Sequence, residues 1–357
     1  MIKFSIKVDD RSMKNVIGKL AGSNILITGA TGFIGGLLAD ELLSWNKEYH
    51  AGIRLVLPVR NMRKAKERYP EDKDEYKPVT LVEVSLEELK PDKLDMPVDY
   101  IIHCASATAS AQMISDPVGV ADGIVLGTKN VLELARIKKI KSMAYLSSME
   151  VYGTVNHGKD DGRLIDESTL GDLNIFSARS CYPLGKRMAE HYCHIYFKQY
   201  GVPVKIARLA QVFGYGVRRS DGRVFAQFAK AVINNEDIVL HTPGLSMGNY
   251  CESMDAVNAI LLILVKGQNG EAYNVTNDDN TMTIRDMADL VADKIASGKI
   301  KVVYDIPKDN IYGYAADTNI RLSSEKLRNL GWKPTKNLEE MYRDMIAYMC
   351  RDDNSGP

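Results

Sequence analysis

The stretch Thr28-Gly29-Ala30-Thr31-Gly32-Phe33-Ile34-Gly35 constrains this chain more than any other. It follows a short apolar run, Asn24-Ile-Leu-Ile-Thr28, and leads into a helical pattern from Gly35 to Ser44. An apolar run that short, with no polar alternation, fits a strand buried on both faces, as in a parallel sheet. Gly29 then permits a tight turn, Gly32 lets the backbone approach a pyrophosphate, and Gly35 lets helix and strand pack closely. The helix N-terminus aims its free N–H groups and positive dipole end at the same point. Glycine spacing alone is weak evidence; the strand before it and the helix after it give it weight. Gly29, Thr31, Gly32, Phe33, Ile34 and Gly35 are therefore candidates for holding a dinucleotide.

The rest of the first two hundred residues repeats the strand–helix alternation. Ile53–Val59, Val79–Val84, Tyr100–Cys104, Ser142–Ser147 and Val204–Leu209 read as strands, and Pro58 argues that the first of these ends there. Helical patterns at 62–68, 120–137 and 182–200 separate most of them. Such alternation predicts an α/β fold, a Rossmann-like doubly wound parallel sheet with a smaller C-terminal substrate-binding lobe. The expected division is an N-terminal extension over 1–22, with a short helix at 10–20, and a dinucleotide-binding domain over 23–210. Residues 250–277, with a buried helix at Val257–Val265, pack back on that domain. The lobe takes 211–249 and 278–350 and ends in a charged helix over 337–350. Ligands in open α/β sheets sit at the carboxyl ends of the strands.

Composition removes several function classes. Lys and Arg number 46 and Asp and Glu number 46, so a globally basic nucleic-acid binder is not expected. Ala259–Val265 is among the longest aliphatic runs and is far too short to cross a bilayer. Charges interrupt the N-terminus MIKFSIKVDD at once, which denies it a signal-peptide core. The five cysteines, Cys104, Cys181, Cys193, Cys251 and Cys350, form no CxxC pair and leave an odd count, as expected of reduced thiols in the cytoplasm. His191, Cys193 and His194 sit mid-helix without a distant pair of partners, so no metal is expected.

The second strand of such a fold normally ends in an acid that holds the adenosine ribose. Here it ends Leu57-Pro58-Val59-Arg60, with Arg63 and Lys64 close by. Arg60 either faces a 2′-phosphate or begins a solvated basic helix, and the choice between NAD and NADP stays open. Tyr182 and Lys186, four apart, share one face of a predicted helix. A nearby ammonium favours phenolate and is expected to draw the tyrosine toward working pH. Such a tyrosine exchanges a proton with a hydroxyl or carbonyl while hydride moves to or from a nicotinamide. Ser148, at the end of a predicted strand and 34 residues earlier, is placed to hydrogen-bond the same substrate oxygen.

Taken together, TGATGFIG (28–35), DYIIHCAS (99–106), GTKNVLELA (127–135), YLSSMEVYG (145–153), YPLGK (182–186) and RLAQVFG (208–214) resemble the extended short-chain dehydrogenase/reductases of the NAD-dependent epimerase/dehydratase family. The resemblance implies NAD, or NADP, at the glycine loop. It also implies Tyr182, Lys186 and Ser148 as the catalytic set, and a nucleotide-diphosphate sugar as substrate. A homodimer built on a four-helix contact that includes the Tyr182 helix is implied as well. HCASATAS (103–110), RSCYPLGKRMAE (179–190) and DGRV (221–224) resemble the UDP-glucuronate decarboxylase and 4,6-dehydratase branches. Ala105 and Ser106 are then cofactor residues, and Thr108, Met149, Gln211 and Arg223 substrate residues. Glu150 matches the glutamate that acts as base at C5 in a dehydratase.

The chain also departs from the pattern. Met149 stands where dehydratases carry the aspartate that expels water. Ile124 and Gln211 replace two asparagines, and Gly248 replaces an arginine that normally binds substrate phosphate and is implicated in decarboxylation. Arg218, Arg219 and Arg223 are candidates to supply that charge. The leading expectation is a nucleotide-sugar epimerase/dehydratase-type enzyme working through a transient keto-sugar, with Tyr182 as acid/base. The alternatives are an NADPH-dependent carbonyl or keto-sugar reductase, a UDP-glucuronate decarboxylase-like enzyme, and a non-enzymatic dinucleotide-sensing or RNA-associated protein on the same fold.

Overall fold

The structure, a computed structural model, describes residues 11–155, 164–307 and 319–352. The expectation for MIKFSIKVDD and part of that for 278–350 lie outside the described residues. In chain order the elements begin α1 (Arg11–Leu20), β1 (Asn24–Thr28), α2 (Phe33–Tyr49), β2 (Arg54–Val59), α3 (Met62–Arg68) and β3 (Val79–Glu83). There follow β4 (Tyr100–His103), α4 (Ser110–Ser115), α5 (Pro117–Lys138), β5 (Ser142–Ser148), α6 (Cys181–Tyr200), β6 (Val204–Leu209), β7 (Gln211–Phe213), α7 (Val224–Asn234) and β8 (Ile238–Leu240). The chain continues through β9 (Met247–Glu252), α8 (Ser253–Lys266), β10 (Ala272–Val275), β11 (Asn277–Thr283), α9 (Ile284–Leu290), β12 (Val302–Tyr304), α10 (Glu325–Arg328) and α11 (Leu338–Asp352).

Seven strands form one sheet in the order β10-β6-β5-β4-β1-β2-β3, and every pairing in it is parallel. Its outermost strand, β10, was not read as a strand from the sequence. Side chains alternate across the sheet with period two. Ile25, Ile27, Leu55 and Leu57 go to one face, against Val16 and Leu20 of α1, Leu38 and Leu42 of α2 and Ile260 and Leu264 of α8. Leu26, Val56, Ile101 and Met143 go to the other, against Val131 and Leu132 of α5 and Ala189 and Cys193 of α6. Helices thus cover both faces, which is why the strands read as unbroken apolar runs.

The lobe is built on a three-stranded sheet, order β11-β9-β7, and a parallel β8/β12 pair. Phe213, Phe225, Tyr250 and Tyr342 form its centre, with the rings of Phe213 and Phe225 stacked at 4.6 Å. Phe33, from the start of α2, packs on the edge of this cluster, so the lobe meets the chain at the glycine loop. No described helix is long and apolar enough to cross a membrane. No group of metal-ligating side chains occurs among the described residues.

The helix before the first strand is part of the main core. Val16 and Leu20 are fully buried, and Lys266 of α8 donates to the Ser12 hydroxyl at 2.5 Å. Leu20→Ala removes a fully buried side chain and leaves a cavity, so it is expected to cost about 2–5 kcal/mol of unfolding free energy. Urea denaturation followed by circular dichroism measures this, and an unchanged midpoint would show α1 to be a mere appendage.

Candidate active site

The glycine loop has the geometry that its spacing suggests. Gly29 has φ +72°, and a Cβ there would lie 2.9 Å from the backbone of Ala105. A Cβ on Gly35 would lie 2.4 Å from the Gly29 carbonyl oxygen. Both positions therefore require glycine, one for the turn and one for close packing of helix on strand. Gly32 is exposed and precedes α2, and a Cβ there would meet only the Gly29 oxygen, at 3.2 Å. Its outer side is the open part of the cradle. Thr31, Phe33 and Ile34 are half-buried around it. This bare backbone at the start of a 17-residue helix fits a pyrophosphate.

Two contacts brace the loop. Tyr69, just past α3, donates its hydroxyl to the Ala30 carbonyl at 2.7 Å. The Ala105 N–H donates to the Thr28 hydroxyl at 3.1 Å, and that hydroxyl lies 2.7 Å from Nδ1 of His103. Nε2 of His103 lies 3.1 Å from the Thr128 hydroxyl. Burial, aided by the Lys186 charge, pushes His103 down to about 3, so the ring is neutral at working pH. Beside Ala105, the Ser106 hydroxyl is buried with no partner in the protein, a free polar group next to the cradle. Thr108, farther along, is exposed.

Ser148, Tyr182 and Lys186 come together at the end of β5. Lys186 is buried and donates its ammonium to the Leu146 carbonyl at 2.8 Å. It lies 4.9 Å from the Tyr145 ring centre and 5.7 Å from that of Tyr182. Burial draws it down to about 8, while Glu190 one turn later acts to keep it protonated. The tyrosine corrects an expectation. Burial pushes Tyr182 up to about 12, against the opposing pull of a hydrogen bond with Ser148. Lys186 does not draw the phenol toward neutrality in the protein alone, because desolvation of a phenolate outweighs the neighbouring polar groups.

Behind this set lies a buried ion pair that the motif reading missed. Glu190 accepts from Arg208 at 2.7 to 3.2 Å and from the Ser147 hydroxyl at 2.5 Å. Arg208 also donates to the Tyr152 hydroxyl at 3.0 Å, and Tyr152 donates to Asn274 of β10 at 2.6 Å. The sequence sets Glu190 one helical turn after Lys186, but no local pattern points to Arg208 as its partner.

Glu150 does not stand free. It sits on the turn after β5 and takes a bidentate pair of hydrogen bonds from Arg179, at 2.8 and 3.0 Å. Arg179 lies on the short turn just before α6, inside the segment already matched to the catalytic helix. The two charges act on Tyr182 in opposite directions, Glu150 upward and Arg179 downward. Met149 is half-buried next to Glu150.

The residues expected to face substrate are spread widely. Gln211 opens β7, level with Tyr250 of β9. Arg223 caps α7 and is held by Asp221, with its guanidinium 4.6 Å from the Phe225 ring and 5.6 Å from Phe33. It thus reaches the glycine loop from the lobe. Arg219 donates to the Asn234 side chain at 2.7 Å, and Arg218 is exposed and acts on Asp40. Gly248 lies in β9 opposite Met282, and a Cβ there would meet only the Tyr250 hydroxyl, at 3.9 Å. Ile124 is buried on α5 and fills the space beside Gly185 of α6. Arg60 is exposed just past β2.

Comparison with known proteins bears on the family and the fold. The model of the NAD dependent epimerase/dehydratase family matches residues 25–276. UDP-glucuronic acid decarboxylase 1 of Danio rerio is 29% identical over 329 residues, covering 92% of this chain and 73% of that protein. Among solved structures, an epimerase from Methanothermobacter thermautotrophicus has a TM-score of 0.79 at 20% identity, covering 97% of both chains. UDP-glucuronic acid 4-epimerase from Bacillus cereus, in complex with UDP-glucuronic acid and NAD, has a TM-score of 0.74 at 19% identity and covers 92% of this chain and 99% of that one. At these identities the two structures show likeness of fold.

The Gly35 contact yields a test. Gly35→Ala drives a methyl group into the Gly29 carbonyl, so strand and helix must separate. A stability loss of about 1–3 kcal/mol is expected, together with loss of dinucleotide binding by isothermal titration. Unchanged binding would show that the loop does not hold the phosphates.

Proposed function

Because the chain belongs to the NAD-dependent epimerase/dehydratase family, we propose that it modifies the sugar of a nucleotide diphosphate through a transient keto-sugar, with NAD as its dinucleotide. The observation that carries this reading is the meeting of Ser148, Tyr182 and Lys186 beside the braced glycine loop, with Glu150 one turn away. The dinucleotide, when bound, supplies a positively charged hydride acceptor that can return the hydride later.

The chain's own groups handle protons and position. Tyr182 exchanges a proton with the sugar oxygen that is oxidised and later reduced, and Ser148 hydrogen-bonds the same oxygen. Lys186 keeps a cation beneath the tyrosine, which favours release of the phenolic proton once substrate is in place. Glu150, oriented by Arg179, moves a proton on the carbon next to the ketone. Met149 has no proton to give, so the reading favours epimerisation over 4,6-dehydration. A decarboxylase-type outcome has support in the likeness to UDP-glucuronic acid decarboxylase 1 of Danio rerio, but Gly248 stands against it.

In this reading residues 23–210 and 250–277 hold the dinucleotide, and 211–249 and 278–350 choose the sugar, with Thr108, Gln211 and Arg223 touching it. A homodimer would use α5 and α6, whose outer faces carry the exposed Leu126, Ile137, Met188 and Tyr200. The five cysteines, none in a disulfide among the described residues, suit the reducing cytoplasm.

Two measurements test the reading. The purified chain is incubated with UDP-glucuronic acid and UDP-glucose, and products are followed by NMR. Tyr182→Phe is expected to lower kcat about 10²- to 10⁴-fold, and full turnover by this variant would sink the mechanism. Arg179→Met is expected to slow exchange of the proton beside the ketone with deuterated solvent, while hydride transfer is less affected. Equal loss in both steps would give Arg179 a structural role only.

A further inference from the structure

The adenosine end of the dinucleotide site departs from the usual pattern in a way that the reading above leaves unused. In sites of this layout an acid near the end of the second strand takes the ribose diol, and an arginine nearby accommodates a 2′-phosphate. Here β2 ends at Val59, a buried valine whose carbonyl accepts from Val84, and the next residue is Arg60. Leu26 of β1 is level with Val56 of β2. The chain therefore leaves β1 at Gly29 and β2 at Arg60 along the same edge of the sheet. The bond from Tyr69 to Ala30 ties the far end of the Arg60–Arg68 segment to the glycine loop.

Five cations and one carboxylate lie between Arg60 and Arg68. Three of the cations have acidic partners: Arg68 has Asp40 at 2.6 Å, Lys66 has Glu71 at 3.1 Å, and Arg63 has Glu67 at 4.0 Å. Arg60 and Lys64 are exposed and meet no carboxylate among the described residues. A guanidinium offers phosphate a two-pronged set of donors, and ribose hydroxyls satisfy it far less well. One acid stands near: Glu83 of β3 is exposed and in register with Val59. Glu83 is the group that would hold an unphosphorylated ribose.

We propose that Arg60, with Lys64 one turn on, forms a 2′-phosphate subsite, so that this chain takes NADP(H) at least as tightly as NAD(H). The proposal rests on the dinucleotide reading of the glycine loop. It goes beyond that reading by assigning a second anionic contact to residues that the catalytic proposal does not use.

The test is isothermal titration of the full chain, freed of copurified nucleotide, with NADP⁺, NAD⁺, 2′,5′-ADP and 5′-AMP. 2′,5′-ADP is expected to bind roughly tenfold or more tightly than 5′-AMP, the scale of one charge-assisted contact. Arg60→Ala should remove most of that difference and leave NAD⁺ unchanged. Arg60→Asp, at an exposed position, should fold normally and reverse the preference. Equal binding of the two fragments overturns the proposal. So does tighter binding of NAD⁺ than NADP⁺, and if Glu83→Gln then weakens NAD⁺, the diol belongs to Glu83. If a folded chain binds none of the four, the proposed function falls with it; NAD⁺ binding without NADP⁺ overturns this inference alone.

Discussion

The site depends on the buried pair of Glu190 and Arg208. Burying two charges is costly, and the cost is met only when geometry is good and the remaining polar atoms are satisfied. Here Arg208 spends its donors on Glu190, on the Tyr152 hydroxyl and on the Glu167 carbonyl. Glu190 also takes the hydroxyl of Ser147. Through Tyr152 the network reaches Asn274, whose amide donates to the Ile165 and Ser323 carbonyls. One ion pair thus joins the helix bearing Tyr182 and Lys186 to the central strands and to two segments of the far side.

That anchoring explains how Lys186 can sit buried beside Tyr182. Desolvation favours the neutral form of the lysine; a carboxylate one turn away favours the charged form. The same lack of water raises Tyr182. Proton movement at the tyrosine is therefore governed by what enters the cleft, because the protein alone holds the phenol protonated at neutral pH. Arg179 and Glu150 add opposing charges at the rim, so they can orient groups near the tyrosine with little net field on it.

Much of this was legible in the sequence, and the limits have physical causes. Strands buried on both faces appear as apolar runs, so β1 to β6 were read to within a residue or two at each end. Gly29 and Gly35 play the parts that their spacing assigns, since a missing side chain is a local requirement. By contrast, β10 reads Ala-Tyr-Asn-Val, and its buried asparagine breaks the apolar run that marks the other strands, which hid it. The Glu150–Arg179 and Glu190–Arg208 pairs join residues 29 and 18 apart, with no local pattern to announce them. The pull of Lys186 on Tyr182 was overestimated because spacing reports proximity and says nothing of solvent. At Gly248 a Cβ would meet only the Tyr250 hydroxyl, at 3.9 Å, so the backbone there does not itself demand glycine.

The packing of α1 on α8 bears on how the chain is made. Helix α1 finds its partner only after Ser253–Lys266 has been synthesised, and the sheet is complete only when Ala272–Val275 pairs with β6. At about 5–20 residues per second, the wait is on the order of tens of seconds. During it the apolar side of α1, with Val16 and Leu20, has no native cover from α8. Early β–α units can collapse, but the closing contacts are distant in sequence and slow to form. The apolar stripe of α1 therefore waits for its native cover until translation has passed α8, and the sheet waits for its last strand until translation has passed β10.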